Sequence, residues 1–519
     1  VSRHVSSVGT AVAGVTETGA RLASAVPTLL TCLLTWRIAA AVLHPAAGAW
    51  AGITMATCLW TGVGGRAATP DAPLVFLTTL ALWLFVRGAR VPAGGGGWRH
   101  GAVRLPAASA VAVGAACGLA ILAKGPVGLA PPVGGFLLFA WWQAWLDPAR
   151  TGSRWSRAWA AGVDAWRGVR PLAIAAVALA VAAPWYAAVG LRTDGEWLRG
   201  FLVVHNLGRF AATMEGHSGS SLLYYPAVVL VGMFPWSSAA GLIGVHAFRT
   251  GRSDDRAAVG VRLLVAWAAA WIVPFSLSAT KLPGYVWPAY PALAGLTGLF
   301  FADWIRVPVP ATDRWMRFAW TFLAGSGAAL AVALPLLARR VAPGAEWLGL
   351  VGLVPLAGAA IAWVGQARHS RLAASAALAG TACATIALLA AAGPAALARA
   401  GGVRELIARL PCDGPSDGVT LAAYRSPPST SFYGGRRAGG SGVTDLETPA
   451  EVIAFLDTHP GAHLVVDARF AATVEPVLPR GYRVLHATTA LPESRRLLLV
   501  GPARPPRRLA AADTTITLR

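Results

Sequence analysis

The sequence predicts a polytopic α-helical membrane protein of about twelve spans, followed by a small α/β domain. Three observations carry that prediction. The 519 residues are 55% hydrophobic and only 13% charged, about half the charged share of a soluble globular chain. Runs such as AAVALAVAAPWYAAVG and LAASAALAGTACATIALLAAAGPAALA approach the ~20 apolar residues needed to cross a bilayer. Past residue 396 the pattern changes to short helix-like and strand-like segments, the signature of a folded α/β unit. Helices rather than open strands follow for the spans, because backbone polar groups in hydrocarbon must be satisfied within the segment.

Hydropathy places the spans at 22–43, 49–65, 71–87, 105–123, 127–146, 171–190, 222–247, 262–279, 285–304, 317–337, 347–365 and 372–395. The loops after the third, fifth, seventh and ninth spans are rich in arginine: RGARVPAGGGGWRHGAVR, DPARTGSRWSRAWAAGVDAWRGVR, FRTGRSDDRAAVGVR and RVPVPATDRW. The positive-inside rule makes these loops cytoplasmic. Parity then assigns the Arg66–Asp71 turn, Lys124, the loop 191–221, the Lys281 corner and everything after about residue 396 to the outer face. Arg339 and Arg340 run against that assignment.

The formal net charge is +21. Basic cytoplasmic loops facing anionic lipid account for it, and no aromatic-plus-basic strip for nucleic acid is visible. Cys32, Cys58, Cys117 and Cys383 fall in apolar segments and Cys412 stands alone, so no disulfide framework is expected. Residues 404–503 read as a helix VRELIARL, a strand GVTLAAY, a helix TPAEVIAFLDTH capped by Thr448, then strands AHLVVDA, YRVLHAT and RRLLLVG. The expected domains are therefore a membrane unit over 1–395, an α/β unit over 396–503 and a flexible tail over 504–519.

Four stretches carry residues capable of chemistry. Asp71 opens the third span in GRAATPDAPLVF. It reads either as an ordinary helix start, with its carboxylate at the positive end of the dipole, or as a site residue. Lys124 ends the fourth span in LAILAKGPVGLAPP, either snorkelling to the interface or facing a phosphate. In SLSATKLPGYVWPAYPAL, Lys281 and Tyr285 flank a Pro283–Gly284 break. They are either belt anchors or a cup for an anion, since broken backbone at membrane depth lines cavities or is buried in protein. The loop 191–221 gathers His205, Asn206, Arg209, Glu215 and His217. Their spacing matches no standard zinc pattern, and the mixture suits polar head groups.

Taken in order, TPDAPLVFL, GLAILAKGPVGLAPP, PWYAAVGLRTDGEWLRGFLVVHNLGRF, MEGHSG, MFPWS and FSLSATKLPGYVWPAYPAL resemble the bacterial branch of the dolichyl-phosphate-mannose–protein mannosyltransferase family (glycosyltransferase family 39). That branch includes the enzyme that adds 4-amino-4-deoxy-L-arabinose to lipid A. The resemblance runs from about Gly14 to residue 304. It implies a GT-C type, metal-light or metal-independent, inverting glycosyltransferase of the plasma (inner) membrane; no cofactor and no metal site are expected. Its donor would be a polyprenyl-phosphate-linked sugar, and its acceptor a glycolipid, glycan or protein at the extracytoplasmic face. By the same resemblance Lys124, Lys281 and Tyr285 lie near the lipid phosphate, Asp71 is a polar active-site residue, and His205, Asn206 and Arg209 match an HN..RF element of open role. Asp71 is the remaining candidate for the catalytic carboxylate, and Glu215 joins the loop residues expected to contact substrate.

Family members also carry an Asp-Glu pair in a first outer loop and a following KPP element. The match here starts downstream of both, at GVTETGARLASAVPTLL. The expectation is that the chain starts late relative to its relatives, or that it is an inactive truncated homologue. A transporter or flippase of a lipid-linked anion is the rival reading. Against it, the ionisable groups collect at one face rather than at the midplane, and no repeated halves are evident.

Overall fold

The computed structural model describes residues 16–89, 102–148, 150–201, 221–253, 256–307, 309–341, 343–399, 402–410, 420–435, 442–490 and 495–503. The helices of the membrane portion are α1 (Glu17–Val42), α2 (Pro45–Thr57), α3 (Leu59–Gly64), α4 (Asp71–Gly88), α5 (Ala107–Lys124), α6 (Ala130–Trp145), α7 (Arg154–Val169), α8 (Pro171–Arg192) and α9 (Glu196–Arg199). They continue as α10 (Tyr224–Gly232), α11 (Ala240–Arg252), α12 (Arg256–Leu277), α13 (Tyr290–Arg306), α14 (Pro310–Val341), α15 (Leu353–Ala367) and α16 (Arg371–Arg399).

Every predicted span falls on helix. Eight helical segments among the described residues are long and apolar enough to cross a bilayer, or nine if the pair α10–α11 is one span. The other three spans fall on α2, α6 and α13, of 13, 16 and 17 residues.

Two departures have local causes. The second span breaks at Cys58, whose ψ of 146° is extended, and the Leu59 amide donates instead to Phe234 O at 3.0 Å. The seventh span is bent by 119° between α10 and its continuation at Trp236, where Pro235 has no amide to offer the helix. The arginine-rich stretch after the fifth span also contains helix α7. Its start is capped by Ser153 Oγ, which accepts from the Ser156 amide at 3.2 Å.

The chain divides into two compact units, Val1–Ala329 with Val351–Ala387, and Leu330–Leu350 with Leu388–Arg519. In the first, helices approach closely through small residues, as expected where lipid supplies no hydrophobic drive between them. Gly114 and Gly118, one turn apart on α5, leave no room for a Cβ against Ile174 O and Ala178 O of α8 (2.8 and 2.7 Å). Large rings fill the remaining space. Phe85 stacks on Phe136 at 4.2 Å, and Trp236, Trp267, Trp271, Trp287 and Trp320 are fully buried. Arg262, 2% exposed, is spent on Gly251 O, Ser253 O and Gln143 Oε1. It ties three segments together rather than adding a solvent-facing charge.

The second unit contains a five-stranded sheet in the order β2-β1-β3-β5-β4. Its strands are β1 (Leu421–Tyr424), β2 (Val443–Leu446), β3 (His463–Asp467), β4 (Tyr482–Ala490) and β5 (Arg495–Pro502). β1 pairs in parallel with β2 and β3, and β5 runs antiparallel to β3 and β4. Helices α17 (Val403–Ala408), α18 (Pro428–Gly435), α19 (Pro449–Thr458) and α20 (Ala471–Val474) complete it. Thr448 caps α19 by accepting from the Glu451 amide, and Glu451 Oε2 accepts from the Glu447 amide. Strand β2 and helix α18 were not foreseen, because SFYGG and SGVTDL carry too short a pattern for either period.

Candidate functional site

Three helix ends meet through Asp71, Lys124 and Tyr285. Asp71 is the first residue of α4, and Pro70 before it offers no side-chain cap. The carboxylate is thus left to find a cation while it faces the positive end of the helix. Lys124 is the last residue of α5, and its ammonium donates to Asp71 Oδ1. Both side chains are 24% exposed, so the pair is half-sheltered. The Lys124 Nζ also lies 5.2 Å from the centroid of the Tyr285 ring, within cation–π range.

The backbone around this cluster is built to bring the ends together. Gly125 adopts φ 83°, ψ −156°, a conformation open to glycine and rarely to other residues. A 3₁₀ turn, Pro126–Gly128, follows at once. A Cβ on Gly128 would meet the Ala120 carbonyl carbon at 2.4 Å, so the KGPVG turn folds directly onto its own helix. On the other side Tyr285 sits in a 3₁₀ turn, Pro283–Ala289, where Gly284 backs against Asp71. A Cβ there would stand 3.2 Å from Asp71 Oδ2.

Lys281 is placed differently. It is 6% exposed, and its ammonium donates to Ser276 O at 2.9 Å and Ser278 O at 2.7 Å. It closes the carbonyl end of α12, four residues before Tyr285. Tyr225 fixes the same corner from α10: its hydroxyl donates to Leu282 O and accepts from the Leu282 amide, both at 3.3 Å. The Tyr285 ring packs on Phe275 at 5.1 Å. His205, Asn206, Arg209 and Glu215 lie outside the described residues.

Sequence reasoning did not single out Tyr225 or the packing role of Gly284. The signal for Tyr225 was a Tyr-Tyr-Pro at a span start, which also reads as an ordinary interfacial belt. Chemically, the cluster offers a carboxylate able to accept a proton, an ammonium able to meet a phosphate, and an aromatic wall. An arriving phosphate would compete with Asp71 for the Lys124 ammonium.

Comparison with known proteins now adds to this geometry. Residues 1–149 match the Dolichyl-phosphate-mannose-protein mannosyltransferase family. The chain is 34% identical over 224 residues to an undecaprenyl phosphate-alpha-4-amino-4-deoxy-L-arabinose arabinosyl transferase of Pectobacterium carotovorum, covering 43% of this chain and 35% of that protein. A second such protein, transferase 2 of Pseudomonas fluorescens, is 29% identical over 309 residues, covering 58% of this chain and 49% of its own. The chain thus spans about a third to a half of the length of these curated relatives. The crystal structure of ArnT from Cupriavidus metallidurans bound to undecaprenyl phosphate superposes with a TM-score of 0.65 at 22% identity. It covers 96% of this chain and 87% of that one. The resemblance read from the motifs is borne out, and so is the fold: a polytopic helical GT-C architecture with a small α/β unit after it.

Proposed function

We propose that this chain acts as an integral-membrane glycosyltransferase that moves a sugar from a polyprenyl-phosphate donor to an acceptor at the extracytoplasmic face. The observation that carries the reading is the meeting of Asp71, Lys124 and Tyr285 at three helix ends. In the reaction an acceptor oxygen forms a bond to the anomeric carbon while the bond from that carbon to the phosphate oxygen breaks. The electron pair leaves with the polyprenyl phosphate, and the acceptor proton passes to a carboxylate. Lys124 meets the negative charge that develops on the departing phosphate, in a half-sheltered position where that attraction is worth most. Asp71 is the carboxylate candidate within the cluster. Once a phosphate draws Lys124 away, Asp71 is released to accept a proton.

The fold shared with ArnT, and the names of the relatives, support undecaprenyl phosphate as the carrier and an aminoarabinose-type sugar as the cargo. The acceptor class, a glycolipid such as lipid A, another glycan or a protein, rests on the same relatives. The arginine-rich loops support an outer location for the cluster and for the α/β unit.

Reconstituted vesicles loaded with a radiolabelled polyprenyl-phosphate sugar test the reading. Transfer of label to an added acceptor, lost in Asp71→Asn and Lys124→Met, is the expected result. Movement of intact lipid across the bilayer without transfer would make the protein a transporter instead. Labelling of cysteines at positions 124 and 281 from opposite compartments would dissolve the outer site.

A further inference from the structure

The α/β unit has a topological switch point of its own, the place where open α/β sheets form a crevice. From β1 the chain passes through α18, whose Tyr433 packs on the sheet face formed by Leu421, Val465, Leu497 and Leu499. From β2 it returns through α19, whose Val452, Phe455 and Leu456 cover the opposite face with Leu464, Val466 and Val500. β3 then leads into α20, whose Val474 packs on that same opposite face. The carboxyl ends of the neighbours β1 and β3 therefore send the chain to opposite sides. In open α/β sheets with strand order 2-1-3, this is where ligands bind.

The residues at that point suit an anion. Directly after β1 come Arg425, at φ 46°, and a hydroxyl-rich run with Ser426, Ser429, Thr430 and Ser431. β3 ends on the fully buried Asp467, and Arg469 and Phe470 follow it. The Arg425 and Arg469 guanidinium carbons stand 5.0 and 5.7 Å from the centroid of the one Phe470 ring, so Arg425 reaches across the crevice. Asp467 does not oppose an anion, because Arg469 Nε and Nη2 hold both of its oxygens at 2.8–3.2 Å. Arg425 spends Nε on Glu447 O, and no carboxylate pairs with it among the described residues.

A second, independent observation lies at the start of α18, the helix that follows β1. Thr430 is 0% exposed, and its Oγ1, like the buried Ser426 Oγ, has no hydrogen-bond partner among the described residues. Buried hydroxyls almost always have one. Ser431, the neighbouring hydroxyl, is used by Asp445.

We propose that this crevice binds a phosphate group, held by Arg425 and by the Ser426 and Thr430 hydroxyls at the start of α18. The same chemistry would serve a free phosphate or a phosphomonoester on a lipid head group.

Equilibrium dialysis of the detergent-solubilised full chain against radiolabelled inorganic phosphate tests this, with Lys124→Met as background so that the membrane cluster does not contribute. One-to-one saturable binding is expected. It should weaken about tenfold in Arg425→Gln and also in Ser426→Ala/Thr430→Val, which carries the test if the arginine variant fails to fold. Displacement of the label by nanodiscs containing phosphatidic acid, but not by phosphatidylcholine alone, assigns the site to a lipid head group. Displacement by soluble phosphate only assigns it to the free ion, and both support the proposal. Binding unchanged by either variant, or none up to about 10 mM phosphate, overturns it.

Discussion

The Lys124 ammonium rests on the Asp71 carboxylate and faces the Tyr285 ring, so residues 53 and 161 positions from Lys124 share one charge. In the proposed function such a pair serves stability and chemistry at once, and a double substitution separates the two. Lys124→Met leaves a half-sheltered carboxylate unpaired and is expected to lower the unfolding temperature. Adding Asp71→Asn removes that charge and should recover most of the lost temperature, because contacting residues are not additive. Transfer, measured with labelled donor, should stay about 10²–10³-fold down in both. Recovery of transfer in the double variant would show that the pair is structural only.

Tyr285 has a ring and a hydroxyl that can be removed in turn. Tyr285→Phe keeps the ring at Lys124 and should weaken protection by undecaprenyl phosphate by about 1.5 kcal/mol or less. Tyr285→Ala also loses the cation–π contact and should weaken it by a further ~0.5–2 kcal/mol. Thermal unfolding against added undecaprenyl phosphate measures both. Equal losses in the two variants would mean that the ring plays no part.

The two glycines at this corner should respond differently to alanine. At Gly128 the added Cβ meets main chain at 2.4 Å, so the turn after α5 must open and the protein should lose folded yield. At Gly284 it meets the Asp71 carboxylate at 3.2 Å, which can give by a few tenths of an ångström. That variant should fold normally and lose activity through a displaced Asp71. Folded yield by size-exclusion chromatography and transfer on the same samples distinguish the cases.

Tyr225 makes a prediction readable at a single amide. The Leu282 N–H donates to the Tyr225 hydroxyl, so Tyr225→Phe should leave that amide without its partner. Hydrogen exchange at Leu282 is expected to speed up about fivefold or more, corresponding to ~1 kcal/mol for one hydrogen bond. Residues on α13 should be unaffected. Uniform acceleration across both segments would point to general destabilisation instead.

The outline of the fold was legible because hydrophobic runs and arginine-rich loops are long signals. All twelve spans landed on helix, and in the α/β unit the Thr448 cap and strands β1, β3, β4 and β5 were visible in the pattern. What was hidden was short or long-range. The break at Cys58 is stabilised by Phe234, 176 residues away, which no local pattern encodes. Four-residue β2 is recognisable only by its pairing with β1. In the site, the residue types of Asp71, Lys124 and Tyr285 could be picked out, but not that the first two pair directly. Lys281 looked equivalent to Lys124 in sequence, since both end an apolar run before a Gly-Pro or Pro-Gly turn. Their surroundings differ: Ser276 and Ser278 present carbonyls to Lys281, whereas Lys124 meets the Asp71 carboxylate and the Tyr285 ring.

His463 gives the α/β unit a pH dependence whose sign follows from burial. It lies on β3 with 5% exposure, and neither ring nitrogen has a hydrogen-bond partner among the described residues. Gly501 on β5 packs so closely that an added Cβ would stand 2.6 Å from the imidazole Cδ2. Burial alone pushes the imidazole below its ordinary value, because the charged form would be desolvated without compensation. Above the ordinary value of about 6.5 the ring is neutral in both folded and unfolded chains and contributes no slope. As pH falls below it, the unfolded chain takes up a proton that the folded one refuses. Stability should therefore decline by up to ~1.4 kcal/mol per pH unit, until the folded imidazole also titrates. Hydrogen exchange at Leu464–Val466, corrected for intrinsic rates, should show this decline between about pH 6.5 and 5. His463→Leu should flatten it, since leucine fills a similar space without a titrating group. An identical slope in the two proteins would assign the acid sensitivity of the sheet to other residues, and the buried imidazole would then be a packing group alone.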